Sequence, residues 1–180
     1  MCGENMAFGK TVLLFLRNKG LRGGILFLGV LIAGCWLLSI NGVRDYGERL
    51  FALATAKIAT WILTCLGMGI QADGNSFALH GFSVSIGPGC IAFYEIFVFS
   101  AAIIAYPLRK KDKFAGVVLG VVAVWATNLL RVIGLFLSGV YFPSVFELLH
   151  DHVAQAIFIL FMVVLWISWV GKCTKRIAAQ

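Results

Sequence analysis

The sequence predicts an all-α integral membrane protein, a compact bundle of four to five transmembrane helices with a short extracytoplasmic hairpin. The 180 residues are 61% hydrophobic and 13% charged, and the mean hydropathy of +0.94 exceeds what one soluble core of this size can hide. No barrel-like alternation recurs, so helices must satisfy the backbone in lipid. Five apolar runs approach the roughly 20 residues that span about 30 Å of hydrocarbon, at 24–40, 50–71, 91–108, 114–140 and 153–170.

The distribution of charge predicts the orientation of these helices. Eleven of the fifteen basic residues fall at the start of the chain, at 109–113 and at the end, and such flanks tend to be cytoplasmic. We therefore divide the chain into a basic cytoplasmic N-terminal segment (1–23), one transmembrane domain (24–171) and a basic cytoplasmic tail (172–180). The net charge of +7 thus belongs to membrane flanks and does not indicate nucleic acid.

The run 50–71 is the weakest candidate span, because it follows Glu48 and Arg49 and contains Lys57. If both termini are cytoplasmic, the number of crossings is even. We therefore predict that this run lies at the outer interface or packs partway into the bundle, which leaves four crossings. The first twenty residues are expected to form a basic surface helix on the cytoplasmic side.

A connection of unusual pattern precedes the third apolar run. In NSFALHGFSVSIGPGC, residues 75–90, apolar residues alternate on either side of His80-Gly81, which is typical of a short hairpin with a glycine-containing turn. Gly87-Pro88-Gly89 then breaks the chain and is expected to deliver Cys90 to the outer end of the next helix. A helix N-terminus favours the thiolate form of cysteine. The hairpin is therefore either a structural cap or a device that positions a reactive Cys90.

The fourth run contains an arginine, in WATNLLRVIGLF. An arginine at the bilayer centre costs at least about 2.5–3.5 kcal/mol on insertion scales, so it needs a partner, a cavity or a function. Arg131 lies nine residues before Val140, about 13 Å below the predicted outer end, from where its side chain can reach toward water. A structural ion pair with Glu95 is one interpretation. Asn128, one turn inward, could bond either residue or a backbone carbonyl.

Two histidines follow in the outer connection FPSVFELLHDH. Cys90, Arg131 and His150 or His152 would thus meet in the outer leaflet. That set suits acyl transfer, in which a thiolate attacks a carbonyl, a histidine moves protons and a cation stabilises the oxyanion. Zinc held by the cysteine and both histidines is the weaker interpretation, because catalytic zinc needs three well-placed ligands. We expect no metal and no cofactor.

In this order, the residues resemble the exosortase/archaeosortase family of membrane transpeptidases. The resemblance covers about residues 75–170 and rests on Cys90 heading CIAFYEIFVFSAAIIAYP, basic RKKDK, the Asn-x-x-Arg of ATNLLRVIGLF, and FPSVFELLHDHVAQAIF. It implies that Cys90 is the nucleophile, Arg131 the oxyanion stabiliser and His150 the general base and acid, with His152 in reserve.

Asn128 and Glu95 are expected to support this site through the contacts described above, and the resemblance implies that it lies at the extracytoplasmic face of a prokaryotic cytoplasmic (inner) membrane. Its substrates would be membrane-anchored proteins with a C-terminal sorting signal, namely a short motif, one transmembrane helix and a basic tail. They would pass through a thioester on Cys90 to a lipid or polysaccharide acceptor. Many members carry glycine two residues after the cysteine, where this chain has Ala92.

Two other classes stay open on the residues alone. A transporter or channel subunit could line a solute path with Glu95 and Arg131, although only one end of the bundle is polar. A noncatalytic membrane assembly protein would leave Cys90 incidental. Gly116 and Gly120, spaced as G-x-x-x-G, are expected to let the third and fourth spans pack closely.

Overall fold

The computed structural model describes residues 19–178, so most of the predicted N-terminal surface helix lies outside the described residues. The chain contains a 3-10 turn, Pro88–Cys90, and a π-helical turn, Leu149–Val153. The remaining elements are α1 (Lys19–Leu38), α2 (Asn41–Cys65), β1 (Gln71–Asp73), β2 (Ser76–Leu79), β3 (Phe82–Ser85), α3 (Phe93–Ala105), α4 (Lys110–Tyr141), α5 (Pro143–Leu148) and α6 (Ala154–Ala178).

Within residues 19–178, three helical stretches are long and apolar enough to cross a membrane: Leu21–Leu38, Lys110–Tyr141 and Pro143–Arg176. Helix α3 is apolar but has only 13 residues. It rises about 20 Å, which is less than the roughly 30 Å of the hydrocarbon core. The predicted class, an all-α membrane protein, is confirmed. The segment that enters α3 is not helical, and such backbone is tolerated at membrane depth only where protein covers it; Ile91 and Ala92 are indeed buried.

Helix α2 differs from the predicted run 50–71. It begins at Asn41, because its N-terminal half is a helix that is polar on one face and therefore lies outside the apolar run. It ends at Cys65, because the chain turns at Leu66 and Gly67 toward the sheet. It is not among the three long apolar helices. Its position at the outer interface remains a prediction. The buried face of α2 is formed by small and apolar residues at helical spacing, Ala52, Ala56, Ala59 and Leu63.

The predicted hairpin is confirmed, and β1 adds a third strand to it. Strands β1, β2 and β3 form an antiparallel sheet in that order. Leu79 pairs with Phe82 across His80-Gly81, and the φ angles of 51° and 85° at these two turn residues are the positive values that a tight two-residue hairpin turn requires.

Aromatic contacts fix this sheet to the C-terminal half of α4. The Phe77 ring lies 4.7 Å from the Phe136 ring, measured between centroids. The Phe82 ring fills the space above Gly139, where a Cβ would lie 2.1 Å from Phe82 Cζ. The hairpin therefore holds a fixed position beside the helix that carries Asn128 and Arg131.

Close helix packing at Gly116 and Gly120 is confirmed. A Cβ on Gly120 would lie 2.1 Å from Phe99 Cε1 in α3, and one on Gly116 would lie 2.4 Å from Trp169 Nε1 in α6. The absence of side chains at these two positions lets α4 approach both neighbours.

Candidate active site

Cys90 is half-buried and is the last residue of the 3-10 turn Pro88–Cys90. Its backbone N–H donates to Gly87 O at 2.9 Å. The prediction that Cys90 begins the next helix is wrong by three residues, because α3 starts at Phe93. Its thiol is thus carried by an irregular segment, and the first helical turn of α3 does not contain it.

Ala92 explains why the helix starts late. It has a left-handed backbone with φ 54°, is 2% exposed, and is the N-cap of α3. For an L-residue other than glycine, this conformation costs roughly 1–2 kcal/mol, and glycine adopts it freely. Many members of the exosortase/archaeosortase family carry glycine at this position, and the positive φ angle gives a physical reason for that preference.

Two side chains of α4 hold the turn that ends in Cys90. Asn128 is completely buried, and its Nδ2–H donates to the carbonyl oxygen of Cys90 at 2.7 Å. Arg131, one helical turn further along, donates from Nη1 to the carbonyl oxygen of Gly89 at 3.4 Å. Of the alternatives left open for Asn128, the backbone carbonyl is the one observed. Two successive carbonyls therefore point at one face of α4.

The Arg131 guanidinium also contacts α6. Its Cζ lies 5.7 Å from the centre of the Phe158 ring, close enough for a cation–π interaction. The sequence suggested an ion pair between Arg131 and Glu95. Within the described residues this pair is not formed, because the guanidinium is directed to Gly89 and Phe158 instead. Arg131 Nε and Asn128 Oδ1 are buried and have no hydrogen-bond partner among the described side chains and backbone.

His150 and His152 lie in the π-helical turn Leu149–Val153. The outer connection was expected to be a loop, and this is wrong: the chain is helical from Pro143 through α5 and the π turn into α6. His150 Nδ1 lies 2.9 Å from Asp151 Oδ1, and its ring stacks on Phe146 with centroids 5.5 Å apart. His152 is exposed and makes no hydrogen bond or ring contact with the described part of the chain.

Aromatic contacts connect His150 to the hairpin. Phe146 lies 5.2 Å from Phe82 of β3, measured between ring centroids, so His150, Phe146 and Phe82 form a continuous row. Asn128 bonds directly to the carbonyl of Cys90, and Arg131 bonds to the carbonyl of the neighbouring Gly89. His150 makes no hydrogen bond with these residues, and its aromatic contacts connect it to the hairpin.

The π turn changes how the two histidines align with Phe158. In a regular α-helix the side chains of His150 and Phe158 would point in directions roughly 80° apart around the helix axis. The additional residue of a π turn reduces this angle to roughly 20°. His150 therefore shares a face with Phe158, which contacts Arg131. His152 would lie roughly 120° from Phe158. Neither this turn nor the contact of Phe158 with Arg131 was indicated by the sequence.

A polar cleft of about 460 Å³ lies beside the turn that carries the cysteine, between Pro88 and the charged first half of α2. Asp45, Glu48 and Arg49 line it, and Tyr94 Oη–H of α3 donates to Glu48 Oε1 at 2.5 Å. A larger apolar groove of about 630 Å³ lies at the opposite end of α3 and includes no site residue. No group of three His, Cys, Asp or Glu suited to a metal occurs in the described part of the chain.

The fold and this site define a multi-pass helical membrane protein in which an irregular, cysteine-bearing turn is held against an Asn-x-x-Arg helix. The family model for transmembrane exosortase (Exosortase_EpsH) matches residues 6–167 of the 180. The chain belongs to this family. No curated protein and no solved structure shows significant similarity to it.

Proposed function

We propose that this protein is a membrane-embedded cysteine transpeptidase that removes the C-terminal sorting signal of secreted, membrane-anchored proteins. One observation supports this most strongly: Asn128 and Arg131 bond the successive carbonyls of Cys90 and Gly89. This arrangement fixes the backbone that carries a half-buried thiol beside a cation whose one hydrogen bond within residues 19–178 is long, at 3.4 Å.

The chemistry follows from this placement. The Cys90 thiolate attacks the carbonyl carbon of the scissile peptide bond, a C–S bond forms, and the oxygen becomes an oxyanion that the Arg131 guanidinium stabilises. The C–N bond then breaks, and the proton needed by the departing amine comes from His150 acting as general acid. The thioester is resolved when an amine or hydroxyl of the acceptor, or water, attacks it and the thiol is released.

The substrate class is the one that the family resemblance implies. The irregular segment around Cys90 lies at the end of a helix that rises only about 20 Å, and with the orientation predicted from charge a peptide reaches it from the outer leaflet. A sorting signal consisting of a motif, a transmembrane helix and a basic cytoplasmic tail presents its motif at this depth. The polar cleft at Pro88 offers a lipid or polysaccharide acceptor a second approach to the same turn.

Cys90→Ala tests the proposal directly. The reporter is a secreted protein fused to a C-terminal motif, helix and basic tail taken from a protein of the same genome. Cys90→Ala should leave the protein folded and stop signal removal. Cys65→Ala, which removes an exposed thiol outside the site, should process the reporter normally. Continued processing by Cys90→Ala would disprove the cysteine mechanism.

Arg131→Lys separates charge from geometry. Lysine keeps the charge but lacks the planar array of donors, so kcat should fall by about 100-fold or more, the size seen when an oxyanion donor is lost. Arg22→Lys, at an exposed position of α1, is the matched control and should retain wild-type turnover. Wild-type turnover by Arg131→Lys would exclude the oxyanion role.

A further inference from the structure

We propose that the outer edge of β3 binds the extended substrate segment next to the scissile bond as a fourth strand of the sheet. This inference rests on the proposed function, because it assigns the way in which that substrate is held. An edge strand recognises a peptide through main-chain hydrogen bonds and takes alternate side chains into pockets. The recognised feature is thus a stretch of main chain in extended conformation.

The strand register shows which backbone groups are available. Leu79 pairs with Phe82, and Phe77 with Val84; in an antiparallel two-residue hairpin these are the pairs that exchange hydrogen bonds. Ile86 N–H donates to Asn75 O at 2.9 Å and continues the same alternation.

The alternate residues of β3 must therefore direct their main-chain groups to the other side. Ser83 and Ser85 point their N–H and C=O groups away from β2, and these groups take no backbone partner within residues 19–178. Both residues are exposed. The edge thus offers a donor and an acceptor at two positions, spaced as a partner strand requires.

The two edges of the sheet differ in their protection. Proteins commonly guard an exposed edge with charge, proline or a bulge. The sequence of β3, FSVS, contains neither a charge nor a proline, whereas β1 contains Asp73 and is exposed along its length. The uncharged edge is the one whose chain leads to the nucleophile.

Continuity with the active site argues that the occupant is the substrate. Ser85 is five residues before Cys90, and Gly87-Pro88-Gly89 lies between them. Phe146 packs on Phe82 of the same strand and carries His150 on its other side. A peptide added to β3 would therefore run beside both the thiol and the imidazole that act on it.

Site-specific cross-linking tests this placement. A photoreactive amino acid replaces Ser83 in the Cys90→Ala background, and the cross-linked peptides of the reporter are identified by mass spectrometry. We expect adducts within a few residues of the reporter's motif, before its transmembrane helix. The same label at Ala72, the outward-facing residue of the opposite edge, should give none. Equal adducts from both positions, or adducts only elsewhere in the reporter, would overturn the proposal.

Proline substitution supplies the functional test. Ser83→Pro removes one outward N–H, and because a hydrogen bond is worth about 0.5–1.5 kcal/mol, kcat/KM for the reporter should fall up to about tenfold, mainly through KM. Ala72→Pro makes the same change on the other edge and should process normally. Equal activity of two folded variants would refute edge binding. If Ser83→Pro unfolds the hairpin, N-methylation of successive substrate amides replaces it, and loss at alternate positions is required.

These results separate the two levels of inference. If Cys90→Ala still processes the reporter, the proposed function fails. If Cys90→Ala is inactive, but the Ser83 label gives no cross-links near the motif and the N-methyl series shows no loss at alternate positions, only the edge assignment fails.

Discussion

Asn128 offers the sharpest test of how the nucleophile is positioned. Asn128→Asp preserves the volume of a completely buried side chain but places an oxygen where Nδ2 now donates to Cys90 O at 2.7 Å. When the introduced carboxyl is ionised, two acceptors face each other. Leaving the buried carbonyl without a donor costs about 1–3 kcal/mol, which for a chain of this size corresponds to a fall in Tm of roughly 2–12 °C.

The catalytic effect of Asn128→Asp should exceed the loss of stability. A displacement of the Cys90 turn by about 1 Å would lower kcat by about 100-fold. KM should change little, since Asn128 contacts the enzyme's own backbone. Three measurements on the purified protein check this: thermal melting in detergent, reporter turnover, and the alkylation rate of Cys90 followed on its own peptide by mass spectrometry.

Thr127→Val is the matched control for Asn128→Asp. Thr127 is the preceding residue of α4, and its Oγ1–H donates to Ala123 O at 2.8 Å within the same helix. Losing this bond should change the free energy of unfolding by no more than about 0.5 kcal/mol and leave Cys90 alkylation unchanged. If Asn128→Asp behaves like Thr127→Val, then Asn128 does not position the nucleophile.

Five further substitutions at four positions test other contacts of the fold and of the site. Ala92→Gly should keep turnover and lie within about 1 kcal/mol of wild type, because relief of the left-handed backbone offsets a lost buried methyl of about 0.8 kcal/mol. Ala92→Val should lose at least about 2 kcal/mol in thermal melting, and equal Tm values would contradict the assigned φ. Gly120→Leu should destabilise by about 1–3 kcal/mol, because its side chain would meet Phe99; an unchanged Tm would refute that contact. His150→Ala should reduce turnover by 100-fold or more while His152→Ala stays within about twofold, and the reverse result would make His152 the base.

Much of the fold could be predicted because hydrophobic periodicity and length are local properties. The long apolar runs became α1, α4 and α6, and the alternation around His80-Gly81 became the β2–β3 hairpin. Strand β1 was not predicted, since its sequence QAD has no strand pattern and pairs only because the hairpin is already there. The early start of α2 and the late start of α3 likewise depend on tertiary packing.

The site could be predicted in composition but not in geometry. Cys90 and Arg131 do meet, yet through the Gly89 carbonyl and not through the helix N-terminus or the pairing with Glu95 that the sequence allowed. The left-handed Ala92 is set by the surrounding packing, and nothing in its residue type indicates it. The π turn could not be predicted either, because the polar residues His150, Asp151 and His152 interrupt the apolar pattern where its register shifts.

The shortness of α3 has a consequence for the surrounding lipid. A bilayer meeting a helix about 10 Å shorter than its hydrocarbon core thins locally or admits water. The substrate helix that we propose, tethered at the cytoplasmic face by its basic tail, would then emerge beside α3 from the thinned leaflet by about two turns. Water would then reach its cleavage site without an outward movement of the helix. The local thinning of the bilayer would thus help to expose the peptide to the site.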